Sequence, residues 1–229
     1  MSDILPQSIA LDVSTCTLCS PPPARETMAK ICPACGSIAV ERAFGALVRG
    51  MLRAYDPKTA TAPVVTYGHR LTDRERTMLE GFGTCRPSPL TKWTDLQDKS
   101  ARDKVISLPG TDASSIDLLY SPPTTLDFIS EMEAAIASAA RALRPSGVFV
   151  LGLVAGRLVV GASEPKKDRK LDPVKNKLEA HAEMWSMVVG RDWLISQLRK
   201  HGLTPSIVVV SDKPSDQKNE FFLGQKPAA

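Results

Sequence analysis

Four cysteines constrain this chain more than anything else in it: Cys16 and Cys19, then twelve intervening residues, then Cys32 and Cys35. Two Cys-x2-Cys knuckles at that spacing can bring four thiolates to the corners of a tetrahedron. This is the arrangement a structural zinc ion prefers, at about 2.3 Å per Zn–S bond. The second knuckle (Cys32, Pro33, Ala34, Cys35, Gly36) is the better formed, because the glycine relieves backbone crowding where amides turn toward sulfur. The first (Cys16, Thr17, Leu18, Cys19, Ser20) lacks that glycine and runs into Pro21, Pro22 and Pro23. A tetrathiolate site has no open coordination position, so the metal expected at Cys16, Cys19, Cys32 and Cys35 holds the segment together rather than performing chemistry. Free thiols or disulfides are the alternative. The first fifteen residues carry two acids and no base, unlike a secretory leader or an Arg-rich transit peptide. A cytoplasmic location is therefore expected, where thiols stay reduced and clustered cysteines bind metal.

Beyond the cysteines the chain reads as an ordinary globular protein. Of its 229 residues, 43% are hydrophobic and 24% charged, enough for one sizeable core and a small appendage. No run of about 18 apolar residues occurs, so no membrane-spanning helix is expected. The formal net charge of +4 is too weak a bias to indicate nucleic-acid binding. Four thiolates with one Zn2+ bring it to about +2. The expected partition is a zinc-ribbon segment over residues 1–37, a linking helix over 38–56, and an α/β domain over 57–229.

In the linking helix, Val40, Phe44, Leu47, Val48 and Met51 recur at three- and four-residue spacing, with Arg42, Arg49 and Arg53 largely off that face. A β-branched run over residues 62–69 predicts a strand ending at Gly68. A helix over 72–80 follows, with Asp73 and Glu75 in its first turn. Residues 92–96, 104–108 and 115–120 are expected as further strands, the first of them ending in an acid, Asp95. Thr124 or Thr125 should cap a helix carrying Ile129, Met132, Ile136, Ala139 and Leu143 on one face, ended by Arg144, Pro145, Ser146 and Gly147. Residues 148–154 form a continuous apolar run, as in a buried parallel strand. Residues 164–177 read as a polar, lysine-rich loop, and 190–202 as a helix. Strands at 206–210 and 220–223 could pair as a hairpin at the sheet edge. The alternation predicts a doubly wound, Rossmann-like, mostly parallel sheet with an antiparallel edge hairpin, preceded by a small zinc ribbon.

The helix–Arg144–Pro145–Ser146–Gly147–strand pattern, with the strand at 115–120 upstream, resembles the entry into the fifth strand of class I S-adenosylmethionine-dependent methyltransferases. Residues 32–42, a Cys-Pro-x-Cys-Gly-Ser knuckle leading into an arginine-bearing helix, are similar to a bacterial subgroup of that family with N-terminal knuckles. Gly190, Arg191, Asp192 and Trp193, with Gly202 at the end of the next helix, look like that subgroup's C-terminal phrase. The resemblance spans about residues 16 to 224. It implies an S-adenosylmethionine site built from Tyr67, Gly68, Leu108 and Tyr120, with Asp95 on the ribose hydroxyls. It departs from the family at the first strand, where Thr66, Tyr67, Gly68, His69 and Arg70 stand in place of a glycine-rich loop.

His69 and His181 are the candidate acids or bases. The segment from Tyr120 to Thr124 holds no general base, although methyl transfer can rely on positioning alone. The function implied is methyl transfer to an unidentified acceptor. The alternatives are a catalytically silent scaffold for a protein partner and, more weakly, a zinc-ribbon nucleic-acid binder using the basic residues of 166–177.

Overall fold

The computed structural model describes residues 7–19, 30–51, 64–69, 71–88, 100, 103–104, 107–108, 111–122, 125, 131–152, 158–159, 166–170 and 185–228. In chain order its elements are β1 (Gln7–Val13), α1 (Ala39–Met51), β2 (Val64–Gly68), α2 (Asp73–Glu80), β3 (Gly83–Pro87), β4 (Ile116–Ser121), α3 (Met132–Ala142), β5 (Leu143–Gly152), β6 (Leu158–Val159), β7 (Lys166–Lys170), β8 (Trp185–Gly190), α4 (Arg191–Lys200), β9 (Thr204–Asp212) and β10 (Gln217–Gln225). Asp95, His181 and the strand expected at 92–96 lie outside the described residues.

Seven strands form one sheet in the order β1-β9-β10-β5-β4-β2-β3. Strand β10 runs antiparallel to both its neighbours, and every other adjacent pair is parallel. The doubly wound, mostly parallel sheet is thus as expected. The β9–β10 hairpin forms, but one place in from the edge, because β1 pairs alongside β9 from Gln7 against Ser206 to Val13 against Asp212. A second antiparallel pair, β7 with β8, belongs to a separate three-stranded sheet, so residues 166–170 are a strand rather than part of a loop.

The period-two alternation of β4, β5, β9 and β10 separates two cores. On one face Tyr67, Leu119, Phe149, Leu151, Ile207 and Phe222 pack with α3 and α4. On the other, Leu118, Tyr120, Val150, Val208 and Phe221 meet Phe44, Leu47 and Val48 of α1 and Leu79 of α2. Each fully buried Phe or Leu contributes about 2 kcal/mol by leaving water.

Among the described residues the sheet ends at β3, a strand not foreseen from the sequence. Residues 104–108 were expected to extend it, but Lys104 and Ser107 are helical, and the Leu108 amide donates 3.1 Å to the Lys104 carbonyl. Leu108 stops that turn at φ +50 and buries its side chain in the α3/α4 core. Helix α3 begins at Met132 with Glu131 as its N-cap rather than at a threonine, and β5 follows it directly from Leu143. No helix among the described residues is long and apolar enough to cross a membrane.

Candidate functional site

Strand β1 delivers the chain to Cys16, and the loop before α1 brings in the second knuckle. That knuckle is closed by the Gly36 amide donating 2.8 Å to the Cys32 carbonyl and the Cys32 amide donating 2.9 Å to the Ser37 carbonyl. Gly36 sits at φ +72, a conformation that costs a residue with a Cβ. The Cys16 and Cys35 sulfurs are 3.7 Å apart, those of Cys19 and Cys32 3.6 Å, and all four lie within 4.8 Å of one another. A tetrahedron with bonds of about 2.3 Å has edges of about 3.8 Å, so the four sulfurs fit a tetrahedral ion. Ser37 Oγ lies 3.2 Å from the Cys16 sulfur and 3.3 Å from that of Cys35, where a hydroxyl can support the ligands.

Two arginines tie this cluster to the fold. Arg42, expected off the apolar face of its helix, is instead wholly buried. Its Nε and Nη2 donate to the two Asp212 carboxylate oxygens at 2.8 and 2.6 Å, and its Nη1 donates to the Ser37 carbonyl at 2.6 Å. Hydrogen bonding to Asp212 holds the Arg42 guanidinium protonated more firmly than usual. Asp212 ends β9 and also accepts from the Ser215 amide and hydroxyl. Arg74 of α2 donates through Nη1 to the Cys35 carbonyl at 3.1 Å and through Nη2 to Glu41 at 2.8 Å.

The carboxyl ends of β3, β2 and β4 make the second region. Gly68 pairs with Pro87 on one side and Tyr120 on the other, the His69 amide donates 3.0 Å to the Tyr120 carbonyl, and the Ser88 amide donates 2.9 Å to the Gly68 carbonyl. Ser88, His69 and Ser121 therefore follow one another across three strands, all buried. Among the described residues Tyr67 Oη, His69 Nδ1 and Ser121 Oγ are buried here without a hydrogen-bond partner, as are Thr125 Oγ1 and atoms elsewhere in the fold, Arg74 Nε among them. Each such atom costs about 1–3 kcal/mol. Burial lowers His69 to about 3, so at neutral pH it is an uncharged imidazole that has no proton to give as an imidazolium.

Of the residues expected at a cofactor site, Tyr67 and Leu108 share the α3/α4 core, and Tyr67 meets His69 edge-on at 5.4 Å. Burial raises the Tyr67 phenol, whose hydroxyl faces Ser88. Gly68 closes β2, and the space a side chain would need there is taken by Leu71. Tyr120 belongs elsewhere: its ring stacks on Phe44 at 3.6 Å in the α1/α2 core, the opposite face from Tyr67. The alternation of β4 requires this, since Leu119 points to the Tyr67 side. Strand β3 ends at Pro87, followed by Ser88, and Asp95, expected to hold a ribose, lies outside the described residues.

Sequence reasoning missed Glu75 as a buried acid. It closes a capping box with Thr72, accepting from the Thr72 amide at 2.9 Å, and burial pushes it up to about 7. The Thr72-x-x-Glu75 spacing was the available signal.

Comparison with solved structures identifies the architecture. A 1,6-didemethyltoxoflavin-N1-methyltransferase from Burkholderia thailandensis, solved with 1,6-didemethyltoxoflavin and S-adenosylhomocysteine, aligns at a TM-score of 0.52 and 15% identity over 82% of this chain and 79% of its own. The fold is that of a methyltransferase. An S-adenosylmethionine dependent methyltransferase from Mesorhizobium loti also aligns (TM-score 0.42, 14% identity, 80% of this chain and 100% of that one). So does phosphoethanolamine N-methyltransferase 2 of Haemonchus contortus in complex with S-adenosyl-L-methionine (0.43, 12%, 78% and 51%). No protein-family model and no curated protein sequence matches the chain. Within the methyltransferase fold, β1 pairs outside β9, and the sheet of described residues stops at β3.

Proposed function

We propose that this protein binds S-adenosylmethionine at the carboxyl edge of β2, β3 and β4 and transfers its methyl group to an acceptor, with a structural zinc ion on Cys16, Cys19, Cys32 and Cys35. The observation that carries the reading is the set of orphaned polar atoms of Tyr67, His69 and Ser121, on the strand ends where an open α/β sheet takes its ligands. Buried donors and acceptors left unpaired in the protein are the groups a ligand can satisfy. Tyr67, Gly68 and Leu108 would line the site, and Asp95 would hold the ribose. Tyr120, committed to Phe44, keeps a packing role. When bound, the cofactor supplies a methyl group on a sulfonium centre. The protein's part is to orient the acceptor and exclude water. His69 would act there as a neutral hydrogen-bonding group, and His181 remains the other candidate acid or base. The zinc would order residues 1–37 before the helix of 38–56 and the α/β domain of 57–229, in a cytoplasmic protein.

The second reading is a silent scaffold for a protein partner. One observation favours it: Leu71 fills the approach to Gly68, where the family has an open glycine-rich loop. Calorimetric titration with S-adenosylmethionine and S-adenosylhomocysteine separates the two. Saturable heat that weakens in Asp95→Ala supports the enzyme, and no heat at millimolar ligand leaves the scaffold. Elemental analysis should return one zinc per chain, and much less overturns the metal assignment.

A further inference from the structure

The metal cluster and the cofactor edge meet at one side chain. Arg74 lies in the first turn of α2, with Nη1 on the Cys35 carbonyl at 3.1 Å and Nη2 on both Glu41 carboxylate oxygens at 2.8 and 3.1 Å. Glu41 in turn accepts from the Ile38 amide, 2.9 Å away, at the start of α1. The Cys35 carbonyl belongs to the turn closed between Cys32 and Gly36, so its position follows from what the two thiolates of that turn bind. On the other side of Arg74, the Thr72–Glu75 capping box makes the start of α2 a single unit. Leu71, the residue before that box, lies with its side chain 2.5 Å from where a Cβ on Gly68 would stand.

The two arginines differ in what they join. Arg42, wholly buried on Asp212, fixes the knuckle to the end of β9. Arg74, whose side chain is 38% exposed, joins the knuckle to α2 and, through it, to the residues covering Gly68. We propose that Arg74 is a positioning residue that couples metal occupancy to the cofactor edge. Metal on the four cysteines sets where the first turn of α2 sits, and with it how Leu71 covers Gly68. The proposal rests on the reading above that a metal fills the cysteine site and an S-adenosyl ligand binds beside Gly68.

Coupling of this kind is reciprocal: zinc must tighten S-adenosylhomocysteine by the same factor by which S-adenosylhomocysteine tightens zinc. The test is calorimetry of S-adenosylhomocysteine on zinc-loaded and chelator-stripped protein, with zinc affinity measured against a competing chelator with and without the nucleoside. The factor expected in the wild type is about five-fold or more in both directions. Arg74→Ala should bring it to about one while retaining one zinc per chain. Arg74→Lys should restore part of it, because an ammonium can reach the carbonyl or the carboxylate but not hold both as a planar fork does. Equal affinities with and without zinc, or coupling that survives Arg74→Ala, overturn the proposal.

If S-adenosylhomocysteine gives no heat in either state, the cofactor reading fails, and amide exchange then tests the coupling by itself. Zinc removal should speed exchange at the Thr72, Glu75 and Arg76 amides in the wild type but not in Arg74→Ala, with the β4 and β5 amides unchanged. Exchange at the start of α2 that ignores the metal, or that rises together with the whole sheet, overturns it.

Discussion

The knuckle corner and the carboxyl edge of β2 and β4 lie at the same end of the sheet and are built by opposite rules. At the corner most buried polar groups have partners: Arg42 on Asp212 and Ser37, Glu41 on Arg74 and Ile38, and Ser37 Oγ within reach of two sulfurs, with Arg74 Nε left unpaired among the described residues. At the edge, Tyr67, His69 and Ser121 are buried with atoms unmatched among the described residues. A saturated network specifies one arrangement, and any loss from it is destabilising. An unsaturated one carries a standing cost that a ligand can remove. The contrast separates a region whose polar groups are largely paired from one where several are not.

The largest effect should come from the corner. Stripping the metal, or replacing Cys32 with Ser, leaves thiols packed without their ion. It is expected to lower the midpoint of thermal unfolding by on the order of 10 °C. A scan on chelated protein that overlays the untreated one would end the distinction between the two regions.

Next is the buried ion pair. Asp212→Asn strands the Arg42 charge and should cost about 3–5 kcal/mol in urea unfolding. Replacing both residues together by apolar ones of similar size should recover much of that loss, because the desolvation penalty disappears as well. A single variant as stable as the wild type would mean that the corner tolerates an unpaired charge and is not saturated in any useful sense.

Glu75 sharpens the comparison through pH. Burial raises it from 4.5 to about 7, so the folded chain holds its proton more tightly than the unfolded chain does. Its contribution to stability is then fully present below about pH 4.5 and is lost as pH rises through 7, a change of about 3 kcal/mol. Relative to the wild type, Glu75→Gln should gain stability across that interval. Parallel pH profiles for the two proteins would show that the acid is not desolvated.

The smallest effect belongs to the edge. Ser121→Ala removes an unpaired hydroxyl and should be neutral or stabilising by about 1 kcal/mol in ligand-free protein, while weakening S-adenosylhomocysteine. A clear loss of stability in the free protein would show that Ser121 is already satisfied, and the edge would then resemble the corner.

What could be read from the chain beforehand follows the range of the interactions. The knuckles, α1 and the apolar strand β5 declare themselves through local spacing and periodicity. Arg42 does not. Its partner Asp212 lies at the far end of the chain, and a helix wheel places an arginine outward unless something buried neutralises it. Strand β3, with Gly83, Thr84, Cys85, Arg86 and Pro87, has little intrinsic strand preference and is a strand because β2 lies beside it. Residues 104–108 show the reverse: Val105 and Ile106 suggest a strand, yet Lys104 and Ser107 are helical and Leu108 lies in the core. Strand β1 is legible in the alternation of Ile9, Leu11 and Val13, but its place beside β9 is set by a partner about 200 residues away. At the edge, the positions of Gly68 and His69 could be read in advance, whereas the turning of Tyr120 to the other face needed the register of β4.

Strand β1 also places a demand on the order of synthesis. Its partner in the described sheet is β9, with Gln7 beside Ser206, so β1 cannot take its place until the much later segment that forms β9 has emerged from the ribosome. The four cysteines, by contrast, lie close together between Cys16 and Cys35. A metal can close their loop while most of the sheet does not yet exist. Pairing at so long a range is slow, so the β1–β9 ladder is expected to close after the local knuckle has formed.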